Sequence, residues 1–155
     1  MGPGRFRQLL GHFATGVTII TLRRPDGQPI GMTANSLASV SLDPPLLSVC
    51  VDHQTVLHDA ILAAREFMVN VLAGDQEALA RRFAAKHDDR FKGVGHRITP
   101  EGHVLLDGAL AHVECRRVAH YPGGDHTIVV GRVIGGSTHR GPPLVFFRGG
   151  YAVLE

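Results

Sequence analysis

Two cysteines are all that the 155 residues contain, and no CxxC spacing joins them. Cys50 and Cys115 each fall in an apolar segment, so they read as buried reduced thiols, and a disulfide framework or cysteine zinc site is set aside. No apolar run nears the length that crosses a bilayer, and the opening MGPGRFRQ lacks the apolar core of a secretory signal. Charge of one sign is also missing: 16 Lys and Arg against 14 Asp and Glu leave a net charge of +2, with both signs scattered along the chain. There is no basic stripe for nucleic acid and no acidic tail. The expectation is a soluble cytoplasmic protein, with small molecules or proteins as partners and neither nucleic acid nor membrane.

Familiar chemical signatures are absent too. GVGHRI has two glycines but no third at the dinucleotide-binding spacing and no strand before it, and no GK[ST] is present. A Rossmann domain is therefore not expected. The ten histidines are dispersed, and no HExxH or comparable spacing sets two of them on one helix face beside a carboxylate, so no metal site is expected. No catalytic triad or paired-carboxylate pattern appears.

What is present is a succession of short strands with a few helices. The length suits one domain, taken as 1–155, with room for a real core. Phe6, Leu9, Leu10 and Phe13 recur at helical spacing and predict a short amphipathic helix ending near Gly16. VTIITL, the turn signal RPDGQ and the returning IGMTANS predict a β-hairpin, and LLSVCV a third strand. Residues 55–64 and DQEALARRFAAK read as helices, the first with Thr55 as a hydroxyl cap, the second opening on Asp75. FMVNVL between them reads as a strand. Residues 86–103 are polar and rich in Gly and His, and read as a long loop or lid. Four further strand-like segments, ALAHVECRRVAHY, HTIVVGRVIGG, PLVFF and YAVLE, are separated by PGGD and HRGPP turns. Strands outnumber helices and βα units do not repeat, so the fold class is mainly β with short helices, in a closed antiparallel barrel.

One stretch poses a question. GMTANSLASVSLDPPLLSVCV, residues 31–51, sets Thr33, Asn35, Ser36, Ser39 and Ser41 ahead of a Pro-Pro pair and an apolar strand. A barrel rim could need these small polar groups for its own turns. A ligand carrying a phosphate could need the same hydroxyls and amides.

Six segments in order along the chain carry a resemblance: FATGVTIIT (13–21), GMTANSLASVSLDPPLLSVCVD (31–52), FMVNVL (67–72), LARRFA (79–84), GDHTIVVGRV (124–133) and PLVFFRGGY (143–151). Together they resemble the flavin reductase family, the small NAD(P)H:flavin oxidoreductases that feed two-component monooxygenases. The resemblance implies an FMN-binding split β-barrel, a homodimer, FMN or FAD as flavin, NADH or NADPH as hydride donor, and a partner monooxygenase reached by diffusible reduced flavin. It also leaves open a flavin-binding barrel without nicotinamide reductase activity, acting as an electron carrier or as an oxidase of another substrate.

The same resemblance implies site residues. Met32, Thr33, Ala34, Asn35 and Ser36 match the flavin-contacting stretch, with Asn35 and Ser36 set against the isoalloxazine or ribityl phosphate. Such a fold has no glycine-rich helix N-terminus to hold a phosphate, so loop amides and short hydroxyls must serve. In VDHQT, Asp52 and Thr55 match a family Val-Asp-x-x-Ser-x-Thr pattern, from which Leu57 departs where a second hydroxyl is common. Arg82 and Phe83 match a helix that packs against flavin; for Arg82 a charged face in water is the competing reading. His126 either begins a strand after a turn or lies where nicotinamide docks, and Arg148 and Tyr151 match the same mouth, as a cation for phosphates and a ring to cover the stack. Hydride transfer between two stacked cofactor rings asks the protein for alignment and exclusion of water, so the lack of an acid, nucleophile or metal signature is consistent with it.

Overall fold

The computed structural model describes residues 1–86 and 89–154. In chain order the elements are α1 (Pro3–Leu10), β1 (Thr15–Gly16), β2 (Thr18–Arg23), β3 (Pro29–Ala34), β4 (Ala38–Leu42), β5 (Pro45–Asp52), α2 (Val56–Ala63), β6 (Glu66–Val71), α3 (Glu77–Ala84), β7 (His96–Ile98), β8 (Val104–Leu106), β9 (Ala111–Gly123), β10 (His126–Thr138), β11 (Leu144–Phe147) and β12 (Gly150–Val153). A seven-stranded sheet runs β3-β2-β6-β9-β10-β5-β4, antiparallel throughout, beside a three-stranded sheet β1-β11-β12 and the pair β7-β8.

The split in the barrel follows from connectivity. The two edges of the large sheet, β3 and β4, are consecutive in sequence and joined by residues 35–37 alone. Four residue steps reach at most ~14 Å, so the sheet must curl until its edges nearly meet. Curling is helped by β9 and β10, whose ladder shifts register at Val130/Gly131 and Val133/Gly135, as bulges do. The gap left between the edges is where residues 33–36 lie.

Both faces of β2 are buried, which is why VTIITL is so uniformly apolar. Ile20 and Leu22 point into a core with Val49, Val51, Phe67, Val69 and Val129, closed by Leu57 and Ile61 of α2. Val17 and Ile19 join Leu72, Phe83, Leu106 and Leu144 beneath α3 on the other side. The Phe83 ring seats directly on Gly31, where a Cβ would come within 3.0 Å of it, so the glycine lets α3 lie flat on β3.

Several sequence expectations are corrected. The first helix stops at Leu10, capped by Gly11, well before Gly16, and none of its residues is buried. Phe6, Leu9, Leu10 and Phe13 are all exposed, Phe13 by 73%. Thr55 stands at the N-cap of α2 but its hydroxyl donates to the Asp52 carbonyl at 2.8 Å, so it caps no amide. α3 is preceded by Gln76, not Asp75; Gln76 accepts from the Ala73 amide and donates to the Asp107 carbonyl, stitching the helix start to the next hairpin. Residues 96–98 of the expected lid form a strand paired with the unanticipated β8. Positions 87 and 88 of that lid, and the last residue of YAVLE, lie outside the described residues. Cys115 is buried, its thiol pushed up to about 12 by desolvation, whereas Cys50 is only half-buried. Among the described residues no helix is long and apolar enough to cross a membrane.

Candidate functional site

A groove of about 280 Å³ opens at the split, lined by Met32 to Ser36, Cys50, Asp52, Thr55, Phe83, Ala84, Arg90 and His126. Nine of the residues picked from the sequence therefore meet on one surface: Met32, Thr33, Ala34, Asn35, Ser36, Asp52, Thr55, Phe83 and His126. Register explains the meeting. His126 opens β10 directly opposite Asp52 at the end of β5, and Thr33 and Ala34 end β3 across the gap. Tyr151 walls an adjoining recess of about 130 Å³ that shares Thr33 and Asn35 with the groove. Its ring lies against Phe146 and under the Arg81 guanidinium, 4.9 Å from the centroid, and burial raises the phenol's pKa.

The hydroxyls are already committed. Thr33 donates to the Ala80 carbonyl at 2.7 Å, tying β3 to α3. Ser36 accepts from the Cys50 amide at 3.0 Å and donates to the Cys50 carbonyl at 3.3 Å, pinning the 35–37 link to β5. Thr55 donates within its own turn, where Asp52 also accepts from the Gln54 amide at 2.8 Å. Each hydroxyl has one proton, so none of the three is a free donor toward a phosphate. Thus the opening question has a double answer: the small polar groups satisfy the rim, and in doing so they shape a groove.

Two donors remain. Asn35 is exposed on the link and makes no side-chain hydrogen bond among the described residues. Arg90 donates through one nitrogen to the Gly31 carbonyl at 2.8 Å, and burial pulls its pKa below the usual arginine value, the mark of a cation short of solvent. Arg90 was missed because it lies in the polar segment read as a lid, where it is one of two cations flanking Phe91, the other being Lys92, and nothing in the sequence singles it out.

Arg82 does not line the groove. Its guanidinium donates to three backbone carbonyls, Arg90 at 2.6 Å, Asp89 at 3.0 Å and Lys92 at 2.7 Å. It holds the turn that carries Arg90. Phe83 is wholly buried and forms floor, not a stacking face. Arg148 sits apart in a hollow with Arg7, Gln8 and His12, because it occupies the left-handed first position of the β11–β12 turn, φ 51°, with its amide bonded to the Gly11 carbonyl. Leu57, where the family pattern has a hydroxyl, is core-facing and buried.

His126 is half-buried at the groove mouth. Its Nδ1 lies 2.7 Å from Asp125 Oδ1, and that contact holds the Asp125 carboxyl below its ordinary pKa. With Nδ1–H donated to the carboxylate, Nε2 of the neutral ring is an acceptor.

Residues 10–155 match the flavin reductase like domain family. The chain is 44% identical over 94% of its length to the FMN reductase (NADH) SmoA of Agrobacterium fabrum, covering 83% of that protein. It is 42% identical over 99% of its length to HsaB of Rhodococcus jostii, the reductase subunit of a flavin-dependent monooxygenase, covering 78% of it. The solved NADH:FAD oxidoreductase SgcE6 of Streptomyces globisporus, in complex with NAD and FAD fragments, superposes with a TM-score of 0.93 at 40% identity, over 98% of this chain and 92% of that one. Fold, groove and sequence agree: this chain belongs to the flavin reductase family and has its split-barrel fold.

Proposed function

We propose that the chain is an NADH-dependent flavin reductase that reduces FMN or FAD and releases reduced flavin to a partner monooxygenase. The observation that carries this reading is the groove at the barrel split, which has uncommitted donors at one side, Asn35 and Arg90, and an oriented imidazole at the other, His126. The donor set fits a flavin phosphate: a desolvated guanidinium beside an unpartnered amide gains most from an anion. Bound flavin and NADH would supply the redox chemistry themselves, hydride passing from the nicotinamide to the isoalloxazine.

The protein's share is alignment and dryness. Met32 and Ala34, apolar and buried at the end of β3, offer a wall with no competing hydrogen bonds. Asn35 and Arg90 anchor the ribityl phosphate chain and so fix the flavin along the groove. His126, held by Asp125, presents Nε2 to the carboxamide of nicotinamide. Holding two rings face to face turns a bimolecular encounter into a unimolecular step, the largest advantage available where no acid or base is required.

The exposed apolar side chains of α1 and Phe13 are assigned to a homodimer contact, since a monomer would leave them in water. Anaerobic mixing of NADH with the protein and each flavin tests the function. Flavin absorbance should bleach within the turnover time, and in air NADH consumption should saturate with added free flavin. Bound flavin that does not bleach would make the protein a carrier or an oxidase of another substrate. Light scattering at micromolar concentration should return a dimer.

A further inference from the structure

A cavity of about 500 Å³, larger than the groove, opens at the opposite end of β2, between the C-terminal half of α2, the start of β6 and the β7–β8 turn. Thr18 pairs with Ala34 beside the groove and Arg23 with Pro29 beside this cavity, so ~17 Å of strand separates the two. Leu22, Phe67, Met68 and Val104 form its floor, all buried, and Ala60 and Ala63 give it an apolar side. The polar groups around that floor are already matched. Thr21 gives its proton to the Val104 carbonyl at 2.6 Å, and Glu66 is held by His103 at 2.7 Å and by Arg116 at 3.1 Å. Glu101 is held within the turn by Thr99 and by its own backbone. Even the C-terminal end of α2 is met, by Arg117, whose Nε donates to the Ala64 carbonyl at 3.2 Å.

The cations are not matched. Arg23, Arg24, Arg65 and Arg116 line the cavity with only Glu66 and Glu101 as carboxylates, and the guanidiniums of Arg23, Arg24 and Arg65 make no hydrogen bond or ion pair among the described residues. Arg23 is nonetheless placed at the mouth: its guanidinium lies over Gly102, where a Cβ would come within 3.1 Å of it. Guanidinium forks bind carboxylates through paired hydrogen bonds, and a floor with no polar group to offer gains from an apolar body that displaces its water. We infer that this cavity binds a small organic carboxylate with an apolar body, at a site separate from the flavin groove. A bare anion would leave the floor wet, and a neutral apolar molecule would leave the guanidiniums unanswered. The volume falls within the ~300–1,000 Å³ typical of small-molecule sites.

The test is calorimetric titration of octanoate and of cinnamate into the protein in the presence of excess FMN, on the wild type, Arg23→Ala and Ala63→Glu. Both ligands should bind the wild type with a Kd below about 1 mM. Arg23→Ala removes one fork, and Ala63→Glu sets a carboxylate at the rim on an exposed position. Each variant should weaken both ligands about tenfold or more, while its Tm stays within about 2 °C of wild type. Arg24 also borders a neighbouring cavity and is left unchanged. Cinnamamide, the neutral counterpart, and inorganic phosphate, the anion without an apolar body, should each bind about tenfold or more weakly than cinnamate. A ligand affinity that either variant leaves unchanged, or no binding of either carboxylate up to about 10 mM, overturns the site. Cinnamamide or phosphate binding as tightly as cinnamate overturns its chemical class.

Discussion

Asn70 and Thr21 at the centre of the sheet and Asn35 and Arg90 at the groove rim are polar groups set beside apolar neighbours, and they differ in how far the protein itself satisfies them. Asn70 is fully buried; it donates to the Ile19 carbonyl and to Thr21 Oγ1, both at 2.9 Å, and accepts from the Leu106 amide at 3.0 Å. Thr21 passes its own proton to the Val104 carbonyl at 2.6 Å. The network locks β2, β6 and β8 together and leaves nothing over. At the rim the hydroxyls of Thr33, Ser36 and Thr55 follow the same rule, while Asn35 and Arg90 keep donors in hand. Between these two regions, the complete one is scaffold and the incomplete one has donors to offer a ligand.

The sharpest way to break this comparison is at the centre. Asn70→Leu keeps the volume but orphans the buried Leu106 amide and removes a partner from Thr21. We expect a loss of ~2–4 kcal/mol, a fall in Tm of roughly 5–15 °C, with no selective effect on flavin affinity in the protein that remains folded. A Tm within about 2 °C of wild type would show that the network is dispensable.

Next in size is Arg82, which stands between the two regions. It does not line the groove but fixes the turn that presents Arg90. Arg82→Ala should raise the flavin KM about tenfold with kcat and the NADH KM little changed, and Arg82→Lys should not rescue it, since one ammonium cannot span three carbonyls. In a double-mutant cycle with Arg90→Ala the effects should be strongly non-additive. Additive losses would mean that Arg82 stabilises the fold without acting through Arg90.

Within the rim the comparison can be sharpened residue by residue. Asn35→Ala should weaken flavin binding by about three- to tenfold, whereas Ser36→Ala, which loses a link to Cys50, should lower Tm more than it changes flavin affinity. The third member, His126→Ala, should raise the NADH KM or slow hydride transfer by about tenfold and leave the flavin constant nearly intact. If Ser36→Ala and Asn35→Ala alter flavin affinity equally, the distinction between committed and uncommitted donors fails.

Legibility in the sequence followed the same division. β2 and β5 were readable because burial on one or both faces demands β-branched and apolar residues along their length. β4 was not; ASVSL is a mostly exposed edge strand whose place comes from pairing with β5. The polar character of 33–36 was plain, but which partner takes each hydroxyl proton depends on Ala80 and Cys50, brought there only by the curl of the sheet. Arg90 was invisible for a similar reason: its position is dictated by three carbonyls gripped by Arg82. The role proposed for His126 came from the family resemblance, since a lone histidine after a turn carries no signal of its own.

Acid titration offers the smallest test, on two carboxylates that each face a histidine. Glu66, part-buried at the foot of β6, has Oε2 at 2.7 Å from His103 Nε2 and Oε1 at 3.1 Å from Arg116. The His103 hydrogen bond first, and then Arg116, hold its pKa below the ordinary glutamate value despite partial desolvation. Asp125 is held low by His126 in the same way, but in open solvent. A carboxylate whose folded pKa is depressed contributes stability above its unfolded pKa, and loses it as pH falls through the folded value. Below about pH 5, therefore, the Glu66 contribution should fade. Because the pair is partly screened, it amounts to under ~1 kcal/mol, or about 1–3 °C in Tm. Glu66→Gln should flatten the acid limb of Tm against pH by that amount. Asp125→Ala should leave the limb unchanged and appear only in the NADH KM, through a His126 ring no longer held. An acid limb that responds to Asp125 and not to Glu66 would reverse the assignment of scaffold and site.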